Sequence, residues 1–353
     1  MGQPGWARPR AGPYLSAPGV GLLPMQAGSA TATLCCMRLC GPAPLLGYFL
    51  AILAVAAPVS FATFPGRNGR IAFTAVDVPS GEKGHMGIVA IDPDGSDPRM
   101  LADPIAAGPT YRPDGRVIAF ARFRRTLANV QGELLYVFQP RGIFLMRSNG
   151  TAERRLIAGN YAEPDWSPDG QRLLLTRGRA GDHDSRQIVI WSHGHLRPLT
   201  DGSSPAWSPT GRLIAFTRDD PLGAGGWSRV YVVRPNGTGL RALRRGYDPN
   251  WSPDGRKLYY NDLEASIYRI RPDGRDPHLI ARHGFNALNY PTPSPDGQLI
   301  GYATRSLADA DFLVTIAMAN GKKTRIFNLS TWPGLPFTAD HLGGLDWQAV
   351  PRR

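Results

Sequence analysis

Cysteine is nearly absent from this chain of 353 residues, and its placement excludes two kinds of structure. The three cysteines, Cys35, Cys36 and Cys40, all lie in the first 40 residues. The rest of the chain therefore has neither a disulfide framework nor a metal site with cysteine ligands. Its length is enough for one large domain or two ordinary ones.

Lysine is also scarce, so the positive charge of the chain comes almost entirely from arginine. The formal charge is +12, and the only lysines are Lys83, Lys257, Lys322 and Lys323. A chain-wide arginine bias often follows genome composition, and an anionic partner is the other explanation. Charged residues make up 19% of the chain, whereas glycine (41) and proline (33) are abundant. This composition favours many short strands joined by turns.

The common catalytic signatures are missing as well. The sequence has no Gly-x-Ser-x-Gly nucleophile elbow and no glycine-rich phosphate loop. Its one histidine flanked by carboxylates is His183, between Asp182 and Asp184. Three adjacent residues of an extended segment cannot all face one ion, so we expect neither a metal nor another cofactor. Acidic residues from several loops could still assemble a catalytic site.

A long apolar run occurs near the N-terminus and predicts export. Arg38 precedes an apolar stretch over residues 45–59, and Ser60 and Ala62 fit the −3 and −1 positions of a signal-peptidase site. We predict cleavage before Thr63. The stretch is short for a membrane span, which needs about 20 apolar residues. An uncleaved N-terminal anchor is the alternative.

This interpretation divides the chain into residues 1–62, an upstream extension with a signal peptide, and residues 63–353, the folded domain. Translation could start at Met1, Met25 or Met37. Whether the apolar segment is cleaved or kept as an anchor, we expect the domain to lie outside the cytoplasm, in the periplasm or the extracellular space. Nucleic acid is therefore not an expected partner, despite the positive charge.

An internal repeat determines the predicted fold. The phrase EPDWSPDGQRLLLT recurs as SPAWSPTGRLIAFT and DPNWSPDGRKLYYN. In S-P-D-G the proline presets φ, the aspartate suits the third turn position, and the glycine takes the positive-φ exit. The turn glycine recurs at spacings of 46, 55, 41, 44 and 42 residues: Gly69, Gly115, Gly170, Gly211, Gly255 and Gly297.

Each repeat also contains a second turn, which completes the pattern of a propeller blade. The second-turn glycines are Gly95, Gly150, Gly194, Gly237, Gly274 and Gly321. Repeats of about 40–45 residues are typical of four-stranded blades. We predict an all-β, six-bladed β-propeller with antiparallel blades. The aromatic residue before the first turn should fill the space between blades: Tyr111, Trp166, Trp207 and Trp251.

The C-terminal phrase GGLDWQAV predicts how the ring closes. Its Trp347 repeats the inner-strand aromatic, but no turn follows it. We expect this segment to complete the first blade, so that the N- and C-terminal strands pair and few strand edges remain open.

Repeats of the form P-x-W-S-P-D-G resemble the WD-like repeat of the TolB family of bacterial periplasmic proteins, and also the propellers of prolyl-oligopeptidase-type enzymes. The resemblance covers about residues 64–350 and implies a periplasmic or secreted six-bladed propeller. TolB itself has an α/β domain before its propeller, which has no counterpart here, and the peptidases add a hydrolase domain. A role in a Tol–Pal type system therefore does not follow from the resemblance.

Two sets of residues are candidates for a binding site. The turns lie on one face of the predicted ring and the variable loops on the other, where binding residues are commonly found. The first set stands three residues before each inner-strand aromatic position and should surround the channel mouth. Its members are Gly108, Glu163, Ser204, Asp248, Tyr290 and Gly344. This mixed composition gives no symmetric metal site, and solvated loop ends are the alternative interpretation.

The second set lies on the longest variable loop, ARFRRTLANVQGELLYVFQPRG. Arg122, Arg124, Arg125 and Arg141 could form an anion-binding lip there. A solvated arginine-rich loop is the alternative interpretation.

We therefore predict an exported, monomeric, non-enzymatic propeller that binds an envelope protein or an anionic glycan. Membrane contact would follow only if the signal segment is retained as an anchor. The alternative is an enzyme acting on polysaccharide, a lyase or hydrolase, with its site at the channel mouth. Two carboxylates converging there would favour the enzyme. The predicted binding residues are Arg122, Arg124, Arg125, Glu163, Asp248 and Tyr290.

Overall fold

The computed structural model of the chain describes residues 63–77, 85–130, 133–179, 182–219, 228–264, 266–282, 290–305, 312–318, 323–328 and 341–351. These residues form strands joined by turns and bends. No helix among them is long and apolar enough to cross a membrane. The predicted signal segment and Gly321 lie outside the described residues.

Within the described residues the strands form six four-stranded antiparallel sheets. The first sheet begins with β1 Arg67–Asp77, β2 His85–Ile91 and β3 Arg99–Ala102. The second contains β4 Ala106–Tyr111, β5 Val117–Val130, β6 Glu133–Arg147 and β7 Arg154–Ala158. The third contains β8 Tyr161–Trp166, β9 Arg172–Arg179, β10 Asp182–Ser192 and β11 His195–Asp201.

The later sheets follow the same order along the chain. The fourth contains β12 Ser203–Trp207, β13 Ile214–Asp219, β14 Ser228–Val233 and β15 Arg241–Arg245. The fifth contains β16 Tyr247–Trp251, β17 Leu258–Asn261, β18 Ile267–Ile270 and β19 His278–Ala281. The sixth contains β20 Thr292–Pro293, β21 Leu299–Arg305, β22 Phe312–Met318 and β23 Lys323–Asn328.

The last strand, β24 (His341–Val350), joins the first sheet instead of forming another one. It pairs antiparallel with β1, and Trp347 lies opposite Ile71. The innermost strand of each sheet, which is β24 in the first sheet, contacts the innermost strands of the two neighbouring sheets. The cyclic order of these contacts is β24, β4, β8, β12, β16, β20 and β24 again. The predicted all-β architecture with four-stranded antiparallel sheets is confirmed.

Burial falls from the first strand of a sheet to the fourth. Strands β8, β12 and β16 are almost completely buried, whereas the fourth strands β7, β11 and β15 are mainly exposed. The aromatic residues of the inner strands fill the contacts between sheets. Trp251, which is fully buried, donates its indole N–H to the carbonyl of Ala206 in the preceding sheet at 3.1 Å. Trp347 donates in the same way to Thr292 at 3.1 Å.

The S-P-D-G turns have the geometry that the sequence predicts. The N–H of Gly170, at φ 65°, donates to the carbonyl of Ser167 at 2.8 Å. Asp169 accepts the N–H of Gln171 at 3.0 Å, so its side chain stabilises the turn. Gly69 is the exception, because it lies within β1 and has no positive φ. The same backbone bond closes the turns at Gly115, Gly211, Gly255 and Gly297.

Candidate functional site

Four inner strands, β4, β8, β12 and β16, share a β-bulge at a residue that precedes proline. In β8 the register with β9 shifts between Ala162 and Asp165, so Glu163 and Pro164 have no partners on β9. Glu163 has a φ of 54°, a left-handed conformation. Proline fits here because a bulge position donates no ladder hydrogen bond. Equivalent shifts span Gly108–Pro109, Ser204–Pro205 and Asp248–Pro249.

The bulge directs the N–H of its first residue toward the preceding sheet. Gly108 donates to the hydroxyl of Thr74 on β1 at 2.9 Å. Asp248 donates to the hydroxyl of Thr217 on β13 at 3.2 Å. These bonds join neighbouring sheets close to the start of their inner strands.

In the third sheet the carboxyl group of Glu163 lies between Thr176 and the fourth sheet. Glu163 Oε2 accepts the hydroxyl of Thr176 at 2.5 Å and the N–H of Ser204 at 2.7 Å. The hydroxyl of Ser204 then donates to Asp248 Oδ1 at 3.3 Å, and Asn261 Nδ2 donates to Asp248 Oδ2 at 3.4 Å. We call these five residues the inner polar cluster. It links the third, fourth and fifth sheets.

The acidic groups of the inner polar cluster are buried, and burial controls their protonation. Glu163 is 1% exposed and Asp248 is 2% exposed. Burial raises the pKa of Glu163, against the opposing effects of the Arg186 charge and the Thr176 and Ser204 donors. Burial raises the pKa of Asp248 well above its usual range, and the negative charge of Glu163 raises it further. Both groups therefore favour the neutral form relative to exposed carboxyls.

Tyr290 lies near the same carboxyls, immediately before the sixth sheet. It is 5% exposed, and burial raises its pKa, with further contributions from the charges of Asp248 and Glu163. The structure therefore brings together the three predicted mouth residues Glu163, Asp248 and Tyr290. Their interpretation as solvated loop ends is wrong, because all three residues are buried.

The chemistry available to the inner polar cluster is limited by this burial. Glu163 Oε2 is used in bonds within the protein, while Oε1 is buried without a hydrogen-bond partner among the described residues. A general acid or base must come within hydrogen-bond reach of its substrate. In this conformation the two carboxyls instead stabilise the contacts between sheets.

A second pair of carboxyls joins the sheets, and the sequence argument missed both. Asp165 Oδ2 accepts the N–H of Trp207 in the next sheet at 2.6 Å. Asp346 Oδ2 accepts the N–H of Tyr111 at 2.7 Å, and its Oδ1 accepts the N–H of Trp347 at 2.8 Å. Burial raises the pKa of Asp346 well above its usual range despite these donors. The recurring Asp-Trp dipeptide was the signal that could have identified this role.

The predicted arginine lip belongs to a β-hairpin, since β5 and β6 pair along the whole segment. Arg122 forms an ion pair with Glu153 at 2.6 Å and donates to the carbonyl of Pro104 at 2.6 Å. Arg124 donates to Gln139 Oε1 at 2.7 Å. These contacts hold both guanidinium groups within the second sheet, whereas the inner polar cluster lies on the third to fifth sheets.

Metal ligands are not gathered in the described part of the chain. No group of three or more His, Cys, Asp or Glu side chains stands close enough there to hold a metal ion. The segment from Asp182 to Asp184 begins β10, and its side chains lie outside the described set.

Four-stranded antiparallel sheets whose inner strands contact each other in cyclic order define a β-propeller. The family model for the TolB beta propeller domain matches residues 67–331. The chain belongs to this family.

Individual relatives agree with the fold and differ in what surrounds it. The structure of TolB from Acinetobacter baumannii has a TM-score of 0.63 and 19% identity, over 80% of this chain and 67% of that chain. A chain of the nidogen/laminin complex has a TM-score of 0.56 and 13% identity, over 80% of this chain and 100% of that chain. An "Uncharacterized peptidase YuxL" of Bacillus subtilis is 30% identical over 127 residues, 33% of this chain. The matched part spans only 19% of that relative's length.

Proposed function

We propose that the chain is an exported, non-enzymatic, six-bladed propeller of the cell envelope that binds an anionic glycan or an envelope protein. The observation that carries this proposal is the distribution of charge. The carboxyls of the inner strands are buried and bonded to neighbouring sheets, while many arginines are exposed. The exposed surface is therefore suited to an anionic ligand.

Six sheets and the cyclic contacts of their inner strands support the proposed blade number. With closure through β24 and β1, each inner strand among the described residues has a neighbouring blade on both sides. A propeller of this kind presents rigid faces, and binding residues on a rigid scaffold lose little conformational entropy when a ligand docks. We propose that the chain acts as a monomer.

Export is part of the proposal and rests on the segment before Thr63. The arginine and apolar stretch at residues 38–59 have the composition of a signal peptide. Membership in a family named for TolB supports a location in the periplasm or outside the cell. A Tol–Pal type role is not part of the proposal.

The alternative function, an enzyme acting on polysaccharide, rests on one observation. Two carboxyl groups, Glu163 and Asp248, contact the same residue, Ser204. Paired carboxyls are the usual machinery of glycoside hydrolysis. For catalysis the inner polar cluster would have to open and admit a sugar, since both groups are buried.

One set of measurements tests both functions on the full chain. We would measure binding to immobilised alginate, dextran sulfate and neutral dextran by biolayer interferometry, and release of reducing ends from the same polymers. The proposal expects binding to an anionic polymer that falls with added salt, without cleavage. Cleavage that disappears in Glu163→Gln would support the enzyme instead. Absence of binding to every polymer would contradict the glycan proposal and leave a protein ligand to be tested with purified envelope proteins.

A further inference from the structure

A cationic cavity lies where the fourth and fifth blades meet, on the face that carries the turns. Its volume is about 570 Å³, within the range of about 300–1,000 Å³ typical of ligand sites. Arg241 comes from the start of β15, Arg256 and Lys257 from the S-P-D-G turn, and Arg269 and Arg271 from the end of β18 and the turn after it. We call this surface the basic groove.

The wall of the basic groove is held by arginine side chains of the fourth blade, which donate to backbone carbonyls of the fifth. Arg241 donates to the carbonyl of Pro272, and Arg244 donates to that of Gly274 at 3.5 Å. The turn itself is closed by the N–H of Gly274, which donates to Arg271 at 2.8 Å. These bonds fix the cavity shape before any ligand arrives, which lowers the entropic cost of binding.

The charges of the basic groove are only partly compensated. Its lining contains five basic residues and two acids, Asp273 and Asp276. Asp273 accepts the N–H of Arg275 at 3.0 Å within its own turn and lies 3.7 Å from Arg271. Arg256, Lys257 and Arg269 have no ion pair with any residue in the described ranges. Against the effect of burial, the charges of Lys257 and Arg256 help to lower the pKa of Asp254, so the groove presents an excess of positive charge that Asp254 partly offsets.

The surroundings of the groove favour a glycan over a protein ligand. Protein interfaces usually contain an apolar core with aromatic residues. In the described part of the chain the exposed large hydrophobic side chains are three leucines on separate blades: Leu196, Leu240 and Leu279. A polymer that carries regularly spaced anionic groups needs no such core, because guanidinium groups bind oxyanions directly.

We propose that the basic groove is the site that binds the carboxylate or sulfate groups of an acidic glycan. This inference rests on the proposed function and assigns it to the turn face, whereas the sequence argument placed binding on the loop face. The two guanidinium groups of Arg256 and Arg269 would contact the oxyanions, with Lys257 adding charge at the edge of the cavity.

The test compares two triple variants of the full chain that each lose three positive charges. The first, Arg256→Ser/Lys257→Ser/Arg269→Ser, removes three of the five cations of the basic groove. The control, Arg116→Ser/Arg154→Ser/Arg155→Ser, changes exposed arginines of the second blade, with Arg116 at the turn position equivalent to Arg256. Substitutions on the surface usually change stability little, and thermal melting checks that both variants remain folded.

We expect the dissociation constant for dextran sulfate or alginate to rise about tenfold or more in the groove variant and by less than about threefold in the control. Equal weakening in both variants would overturn the groove, because total charge would then explain binding. Undiminished binding in the groove variant would also overturn it, while leaving the proposed function intact. If the native chain binds neither polymer, both the groove and the glycan function fail.

Discussion

Four buried carboxyl groups of the inner strands occupy two positions of the repeat that are two residues apart. Asp165 and Asp346, next to the tryptophan, accept backbone N–H groups from the next blade. Glu163 and Asp248, at the bulge, meet at Ser204 and have raised pKa values because burial disfavours their charge. Repeat spacing was enough to select Glu163 and Asp248 from the sequence. It could not give their depth, because the bulge that buries them depends on contacts between blades.

The raised pKa of Asp248 predicts how stability depends on pH. The unfolded chain loses this proton near pH 4, at about the pKa of an ordinary aspartate. The folded state holds the proton more tightly, so its stability falls as the pH rises from about 4 through the raised pKa. Asp248→Asn removes this titration. We expect the native protein to lose stability relative to Asp248→Asn between about pH 4.5 and pH 7.5 in urea unfolding.

Asp254→Asn is the control for this measurement. Burial works against the charge of Asp254, but the hydroxyl of Ser252 and the N–H of Arg256 lower its pKa overall. Its contribution is complete above about pH 4, so the difference between native and Asp254→Asn should stay constant over the same range. A constant difference for Asp248→Asn as well would contradict a buried, neutral Asp248.

The ends and register of each strand depend on its turns and bulges. The turns could be predicted from the sequence, whereas the bulges could not. The proline, aspartate and glycine of S-P-D-G predict the geometry of the turn. The segment around Arg124 was expected to be a loop, yet β5 and β6 continue through it as a hairpin. It differs from the other repeats in length, and length alone does not distinguish an extended hairpin from a loop.

Two glycines with positive φ allow the cost of a close backbone approach to be separated from the cost of the backbone conformation. A Cβ added at Gly246, at the start of β16, would lie 2.2 Å from the carbonyl oxygen of Asn261. Gly194 has open space around the same position. We expect Gly194→Ala to cost about 1 kcal/mol through φ alone. Gly246→Ala should cost about 3 kcal/mol or more, because the backbones must also separate. Equal values in urea unfolding would mean that the close approach is unimportant.

At the scale of the whole molecule, the fold follows from repetition and the ligand site does not. The repeats share one pattern of turns and inner strands, so a propeller could be predicted from a single sequence. The basic groove combines Arg241 of one blade with Arg269 of the next. Neither residue stands out in its own repeat, and only the packing of two blades brings them to one cavity.

Removal of residues 341–353 tests the closure of the ring. The deletion takes away β24 and the buried Trp347, and loss of a buried tryptophan alone costs about 3–5 kcal/mol. We expect the melting temperature to fall by about 10 °C or more. Removal of residues 351–353 alone is the control and should change it little. An unchanged melting temperature in the longer deletion would contradict the closing role of β24.

The position of β24 also determines when the molecule can finish folding during its synthesis. The bond between the N–H of Tyr111 and Asp346 spans 235 residues of chain. The first blade therefore lacks one strand until β24 has been synthesised. Contacts of such long range form slowly. Under the export proposed above, a chain that is translocated before β24 is synthesised would close its ring on the far side of the membrane.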